Sequence, residues 1–476
     1  MLGILLAAGR GTRMKSARPK VLFEINDEPI CFPPFRALFE VCDRVIIVVG
    51  YRGAEVRESL LKRANEAFGE EAVKAKVLFY TQEEQKGTGH AVRTALDGLG
   101  KSLGSYEATI VLNGDLPLIR ESTLRPLVSE FVARSLDALC LSFDAADPTG
   151  FGRILRDDKG LLLGIREEKD ASESERKIRE VNGGVYCFRN TLLGPALAEL
   201  KTDNKQNEFY LTDLLGTLKQ PKLKTEAIVS NAEDLLGVNT TFELADLRQL
   251  SQRRLKKDLC ERYGVDFVNI DSIFVSARAV FQGPCRVGPG CSIMGSSVIG
   301  EDVNLEGHVL LKNSRISKGA HILWSSVIDE SIVGERTKVG PMAHLRMNTV
   351  LGDDVKVGNF VETKKTTLAR GAKASHLSYL GDAEVGEESN IGAGTITCNY
   401  DGFNKFKTKI GKRAFIGSDS QLVAPVSIGD DAYVGSGTTV TEDVPAGALA
   451  ISRPDMVVKE GYAKKLADKR NLTKKD

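Results

Sequence analysis

The chain has 476 residues, with 65 Lys+Arg against 64 Asp+Glu and a formal charge of +1. That length implies two or three domains with real cores, and the balance excludes an overall basic field for nucleic acid or an anionic membrane, so any anion must be met by local clusters. Hydrophobic residues at 42% and charged residues at 27% are ordinary for a globular protein, whereas 46 Gly beside one Trp point to an architecture rich in tight turns.

The opening Met1-Leu-Gly-Ile-Leu-Leu-Ala-Ala-Gly lacks a basic n-region and breaks at Gly9 and Gly11, so it reads as a buried first strand rather than a signal. No apolar run approaches the roughly 18 to 20 residues of a membrane span, and a cytoplasmic location is expected. The cysteines (Cys31, Cys42, Cys140, Cys187, Cys260, Cys285, Cys291 and Cys398) form no C-x-x-C pair. They read as small core residues rather than zinc ligands or disulfides.

Through about residue 240, short apolar runs alternate with helix-length segments. Ile4-Leu-Leu-Ala, Val45-Ile-Ile-Val-Val, Val77-Leu-Phe and Thr109-Ile-Val-Leu predict buried strands of a parallel α/β sheet. Ligands of such sheets collect at strand carboxyl ends, where two loops stand. The first is Leu6-Ala-Ala-Gly9-Arg-Gly11-Thr12-Arg13-Met14 with Pro19-Lys20, whose glycines let N–H groups approach a phosphate that Arg13 and Lys20 neutralise. It matches neither G-x-G-x-x-G, because Met14 holds the third position, nor a Walker loop, and glycines also make ordinary turns. The second is Asn113-Gly114-Asp115, where Asp115 is a turn residue or, beside a triphosphate, an Mg²⁺ ligand with Asn239 as a second oxygen. Cys31-Phe-Pro-Pro-Phe predicts no helix before Phe35.

A helical connector is expected over 241–262, opened by the capping box Thr240-x-x-Glu243 and carrying Leu244, Leu247, Leu255 and Leu259. It divides a first domain, 1–240, from a second, 263–453. In the second the period becomes six: Val333, Val339, Leu345, Leu351 and Val357, then Ile410, Ile416, Leu422, Ile428, Val434 and Val440, most followed by Gly. Neither a helix nor a hairpin explains this. A triangular parallel β-helix does, one aliphatic side chain entering per flat side and a small or flexible residue near each corner. A one-residue slip between Ala374 and Val385 and a polar insertion from Cys398 to Lys409 interrupt it. The tail 454–476 reads as a charged, frayed end.

Polar residues gather at the irregular coils: Arg346, Lys364, His376, Tyr379, Asn390, Asn399-Tyr400 and Lys405. Among side chains, a histidine suits general-base proton abstraction near neutral pH. Of five histidines, His376 stands in the richest neighbourhood. A solvated surface histidine is the alternative.

Taken together, the glycine loop with Pro19-Lys20, Gln82 with Gly87-Thr88-Gly-His, Asn113-Gly-Asp115, Gly152, Glu167, Asn182 and Gly237-Val-Asn239 resemble sugar-1-phosphate nucleotidyltransferases. With the second half, the resemblance covers nearly the whole chain and is to the bifunctional N-acetylglucosamine-1-phosphate uridylyltransferase and glucosamine-1-phosphate N-acetyltransferase family. It implies a Rossmann-like α/β nucleotidyltransferase domain followed by a left-handed parallel β-helix of hexapeptide repeats. It also implies a UTP/UDP-N-acetylglucosamine site of Leu6, Ala7, Ala8, Gly9, Lys20, Gln82, Gly87, Thr88, Asn113 and Gly114. Gly152, Glu167 and Asn182 would bind the sugar, and Asp115 and Asn239 would hold Mg²⁺. Arg13 and Lys20 would be the catalytic cations of an in-line displacement without a covalent intermediate.

In the second half the resemblance makes His376 the proton acceptor. It gives Arg346 and Lys364 to the sugar phosphate, Tyr379 and Asn390 to the sugar, and Ala393, Asn399, Tyr400, Ser418, Ser436 and Arg453 to acetyl-CoA, with the insertion closing over coenzyme A and its Lys405 and Lys407 placed for the cofactor's phosphates. A homotrimer with inter-subunit sites is implied. The sequence departs from the family pattern at Asn113, Thr240 and Ser436. A nucleotidyltransferase with a structural or regulatory β-helix is the alternative, and a non-enzymatic interaction protein a third reading, which the phosphate loop and the Asp115/Asn239 pair disfavour.

Overall fold

The computed structural model describes residues 1–217, 223–452 and 455–469. Two compact units divide the chain, Met1–Leu255 and Lys256–Asp476, and the division falls inside the helix Thr241–Tyr263. The capping box is complete: the Glu243 N–H donates to Thr240 Oγ1 at 3.1 Å, and the Asn239 and Thr240 N–H groups donate to Glu243 Oε2 at 2.7 and 3.3 Å. Leu244 and Leu247 bury against Met14, Ile30 and Val238 of the first unit. Beyond the division, the ammonium of Lys256 donates to the carbonyls of Ile270 and Ile273.

The described strands of the first unit's main sheet are β1 (Leu2–Ala7), β2 (Arg44–Val49), β3 (Val77–Thr81), β4 (Ala108–Asn113), β5 (Ala138–Asp144), β6 (Arg153–Arg156), β7 (Leu162–Arg166), β8 (Glu180–Arg189) and β9 (Thr225–Val229). The main order is β9-β5-β8-β4-β1-β2-β3. Neighbours among β1 to β4 are parallel, as is β9 to β5, while β8 runs antiparallel between β4 and β5. Leu5, Ile47 and Leu112 enter one core and Ile4, Ile46 and Val111 the other, so both faces are covered and the strands read as unbroken apolar runs. The chain runs from β1 to β2 and β3 on one side, then crosses to β4 on the other. The carboxyl ends of β1 and β4 therefore meet at a switch point, with Leu6 opposite Asn113.

Two expectations are corrected, one for a helix of this unit and one for the cysteines of the chain. Helix Phe32–Val41 begins at Phe32 rather than no earlier than Phe35, because Pro33 and Pro34 fall in its first turn, where no N–H is needed and the fixed φ suits the helix. Among the cysteines, Cys260 is exposed and Cys398 half-buried, while the other six are buried; burial pushes the Cys31 and Cys140 thiols up to about 12.

The second unit is a parallel β-helix of three sheets, which begin among the described residues at Asp266–Phe267, Phe274–Val275 and Val280–Phe281. Successive coils stack in register, Arg286 on Asn304 and Phe415 on Tyr433. Buried ladders such as Ile293-Leu311-Ile328-Leu345 fill the prism. The single slip expected near Ala374–Val385 is one of several. At one corner, Leu311 to Ile316, Ile328 to Val333, Thr363 to Leu368 and Leu380 to Val385 are all one residue shorter than Ile293 to Ile299. The glycine after a ladder residue serves close approach as well as flexibility: a Cβ on Gly288 would lie 1.6 Å from the Glu306 carbonyl oxygen of the next coil. Residues Tyr462–Lys469 of the tail form a helix instead of an irregular end, consistent with their Ala, Leu and Lys content. Among the described residues no helix is long and apolar enough to cross a membrane.

Candidate active sites

At the switch point of the first unit lies a cavity of about 520 Å³. The loop after β1 (Leu6, Ala8, Gly9, Gly11), Lys20, Gln82, Gly87 and Thr88, and the loop after β4 (Asn113, Asp115) line it together. Gly11 has φ +67°, and a Cβ there would sit 2.4 Å from that of Lys20, so only glycine lets the loop turn over this lysine. Gly87, at φ +103°, opens the helix Thr88–Leu99, whose N-terminal end meets the cavity at Gly87 and Thr88, while the Gly89 N–H donates to the Phe209 carbonyl at 2.8 Å. Gln82 donates to the Gly87 carbonyl at 3.1 Å and contacts His90 Nδ1 at 2.9 Å, which ties β3 to that helix.

The ionic partners are specific. Lys20 Nζ lies 2.5 Å from Asp115 Oδ2, and Arg13 donates to Asn239 Oδ1 at 2.6 Å. Asp115 and Asn239 come from distant parts of the chain but share one backbone junction, because the Val238 N–H donates to the Asp115 carbonyl at 3.0 Å. A Cβ on Gly237 would stand 3.8 Å from Asp115 Oδ1. One carboxylate and one amide oxygen at this cavity fit the donor set of a hard divalent cation whose shell substrate oxygens and water complete.

Beside this cavity the expected sugar residues converge. A Cβ on Gly152 would lie 3.5 Å from the Asn182 Cβ and 3.6 Å from Glu167 Oε1. Asn182 donates to the Tyr186 hydroxyl at 2.7 Å and accepts from the Gly184 N–H at 3.1 Å. Gly184 in turn faces Asn113, whose Nδ2 would stand 2.6 Å from a Cβ there. Burial raises the Glu167 carboxyl above its ordinary 4.5, opposed by the Thr212 hydroxyl, which donates at 2.9 Å. Sequence reasoning missed Thr212 and the cavity residues Arg10, Thr12, Gln85 and Glu208. Arg10 and Thr12 sit within the quoted loop, whereas Glu208 offered no motif.

In the second unit the candidate residues fall along two edges of the prism. One edge carries His376, Ala393, Ser418 and Ser436 on successive coils: the N–H groups of Gly394, Asp419 and Gly437 donate to the carbonyls of Leu377, Ala393 and Ser418 at 2.9, 2.7 and 2.8 Å. Asn359, absent from the sequence-derived set, precedes them and holds His376 Nδ1 at 2.6 Å from its Oδ1. Asn390 lies on an adjoining face, between Lys373 and Phe415.

The other edge stacks Arg346 on Lys364 and Lys364 on Gly381. Arg346 is paired to Glu362 at 2.5 Å. The Lys364 ammonium sits below the usual lysine range because Lys405 touches it and Arg346 adds charge. The insertion thus brings Lys405 to the sugar-phosphate candidates, while Lys407 is paired to Glu384 at 2.6 Å. Asn399 donates to Asp382 Oδ2 at 2.6 Å, and a Cβ on Gly381 would be 2.6 Å from the Tyr379 hydroxyl and 2.8 Å from Asn399 Nδ2. Tyr400 closes the loop by donating to the Gly402 carbonyl at 2.5 Å. Arg453 lies outside the described residues.

A Rossmann-like domain with a cationic glycine loop, joined to a hexapeptide β-helix bearing an oriented histidine, defines a nucleotidyltransferase fused to an acyltransferase. Residues 3–215 match the profile of a MobA-like NTP transferase domain, 275–370 that of a GMPPB C-terminal domain, and 407–442 that of six bacterial transferase hexapeptide repeats. A bifunctional protein GlmU from Pelobacter propionicus is 42% identical over 96% of this chain and 97% of its own length. Those of Trichlorobacter lovleyi and Halalkalibacterium halodurans are also 42% identical, over 98% and 97% of this chain and 98% of each relative. The chain belongs to the bifunctional GlmU family, with a left-handed hexapeptide helix as its second domain. It is an acetyltransferase and uridylyltransferase of UDP-N-acetylglucosamine synthesis, and the alternative of a merely structural or regulatory β-helix is set aside because the similarity spans both halves.

Proposed function

We propose that the two reactions run at the two residue clusters described above, using acetyl-CoA and Mg²⁺. At the β-helix, His376 takes a proton from the ammonium of glucosamine-1-phosphate. The freed amine forms the N–C bond at the thioester carbon, the C–S bond breaks, and coenzyme A leaves as the thiol. Arg346, Lys364 and Lys405 hold the sugar phosphate, Tyr379 and Asn390 the sugar. Ala393, Asn399, Tyr400, Ser418, Ser436 and Arg453 line the acetyl-CoA site. Because these groups occupy two edges and a face of the prism, the reading includes a homotrimer whose neighbouring prisms complete each site. Light scattering should return three times the chain mass; an active monomer would defeat that part.

In the first unit, a phosphate oxygen of N-acetylglucosamine-1-phosphate attacks the α-phosphorus of UTP, and pyrophosphate departs with the broken P–O bond. Lys20 and Arg13 neutralise the triphosphate as charge shifts to the leaving group. Asp115 and Asn239 would hold Mg²⁺, which supplies further charge neutralisation when bound. Gly152, Glu167 and Asn182 orient the sugar, and Leu6 to Gly9, Gln82, Gly87, Thr88, Asn113 and Gly114 receive the nucleotide. A cytoplasmic location belongs to the same reading.

The observation carrying this proposal is the convergence of the β1 loop, Lys20, Gln82, Thr88 and Asp115 on one cavity, while His376 stands in the other unit. Two assays on one preparation test it: thiol release from acetyl-CoA with glucosamine-1-phosphate, and pyrophosphate release from UTP with N-acetylglucosamine-1-phosphate. His376→Ala should silence only the first and Asp115→Ala only the second. A folded variant that lost both would defeat the two-site assignment.

A further inference from the structure

We propose that Asn359 is a positioning residue for acetyl transfer, holding the His376 imidazole in the tautomer whose Nε2 is free to accept the proton. This rests on the assignment of His376 as proton acceptor. The two side chains meet at 2.6 Å, His376 Nδ1 to Asn359 Oδ1. An amide oxygen only accepts, so Nδ1 carries the hydrogen and the lone pair lies on Nε2.

Three features of the coils hold this contact. Asn359 and His376 end the neighbouring strands Lys356–Asn359 and Lys373–His376 and are register partners. The Leu377 N–H donates to the Asn359 carbonyl at 3.0 Å, and the Ser378 hydroxyl donates to the His376 carbonyl at 2.8 Å, so the backbone is tied on both sides. The close approach needs a glycine before Asn359, since a Cβ on Gly358 would lie 1.8 Å from the Ser375 carbonyl oxygen. The half-buried asparagine is therefore set against the exposed imidazole by the stacking itself.

The chemistry of the acceptor matters. A carboxylate in this place would stabilise the imidazolium and raise the pH at which the histidine becomes a free base. A neutral amide fixes ring orientation and tautomer without that charge, which suits a base that must be unprotonated near neutral pH.

The test uses the full chain, with steady-state thiol release followed against pH and pyrophosphate release as the control on the same preparation. Asn359→Ala should lower kcat for thiol release about 10- to 100-fold with little change in KM, less than the loss expected for the base itself, and leave pyrophosphate release unchanged. Asn359→Asp restores an acceptor and should recover most of kcat, with the acidic limb of the profile moved up by about one pH unit. Nitrogen-15 spectra of the histidine-labelled wild type, which has five histidines, should show the neutral His376 ring protonated at Nδ1. The wild-type spectrum decides the matter even if Asn359→Ala does not fold. A wild-type Nε2–H tautomer, or Asn359→Ala turning over like the wild type at every pH, would overturn the proposal. Full thiol release by His376→Ala would instead remove the reading beneath it.

Discussion

Replacing Asp115 by Asn keeps the side-chain shape and one oxygen but removes the charge under Lys20. The pair is 2.5 Å apart, with the lysine side chain 14% and the aspartate 21% exposed. It lies between an exposed ion pair, worth about 0–1 kcal/mol, and a fully buried one, whose rupture costs about 3–5 kcal/mol. The substitution should therefore destabilise the first unit by about 1–3 kcal/mol, lowering its melting transition by roughly 3–9 °C for a unit of that size. Adding UTP should recover part of the loss, because a phosphate gives Lys20 a new partner. Lys20→Met in the same chain should add less than its own cost, since the two side chains act on each other. Pyrophosphate release should fall about 10²- to 10³-fold, the usual cost of removing one designed charge contact, while thiol release holds. Scanning calorimetry and the paired assays read all of this. Pyrophosphate release within about twofold of the wild type, or an equal fall in thiol release, would refute the reasoning.

Three further outcomes follow from the packing. Glu167 is raised above 4.5 by burial, so its folded form resists ionisation and the first unit should lose stability as pH rises from 4.5 through the raised value. Glu167→Gln should flatten that slope in urea unfolding and raise stability above the window. Thr240→Ala removes the acceptor of the Glu243 N–H and should cost about 1 kcal/mol by chemical denaturation. Leu345→Ala in the fully buried ladder of the β-helix should cost about 2–5 kcal/mol in the second unit's transition, whereas Leu345→Ile should cost less than about 1.5 kcal/mol.

Much of this was legible in the sequence because it depends on short-range periodicity. The apolar runs at Ile4, Val45, Val77 and Thr109 became β1 to β4, and the period of six became the ladders of the β-helix. Pro33 and Pro34 misled because proline forbids helix interiors but not first turns, and only the structure shows which applies. One shortened corner was masked because a buried Thr363 stands where the ladder otherwise carries an aliphatic residue. The meeting of Gly152, Glu167 and Asn182 depends on how β6, β7 and β8 pair, which no local pattern encodes. Asn359 could have been found: it precedes His376 by one coil, a spacing that also separates Asp382 from its partner Asn399. Stacking makes such residues neighbours.

The most direct test of the whole account is complementation between two damaged enzymes. Full-length His376→Ala and Asp115→Asn chains, each shown to be folded, are supplied with glucosamine-1-phosphate, acetyl-CoA, UTP and Mg²⁺, separately and mixed, and UDP-N-acetylglucosamine is measured. Two independent sites predict little product from either variant alone and restored conversion by the mixture, one chain acetylating and the other uridylylating. Near wild-type product from one variant alone, or none from the mixture, would contradict it.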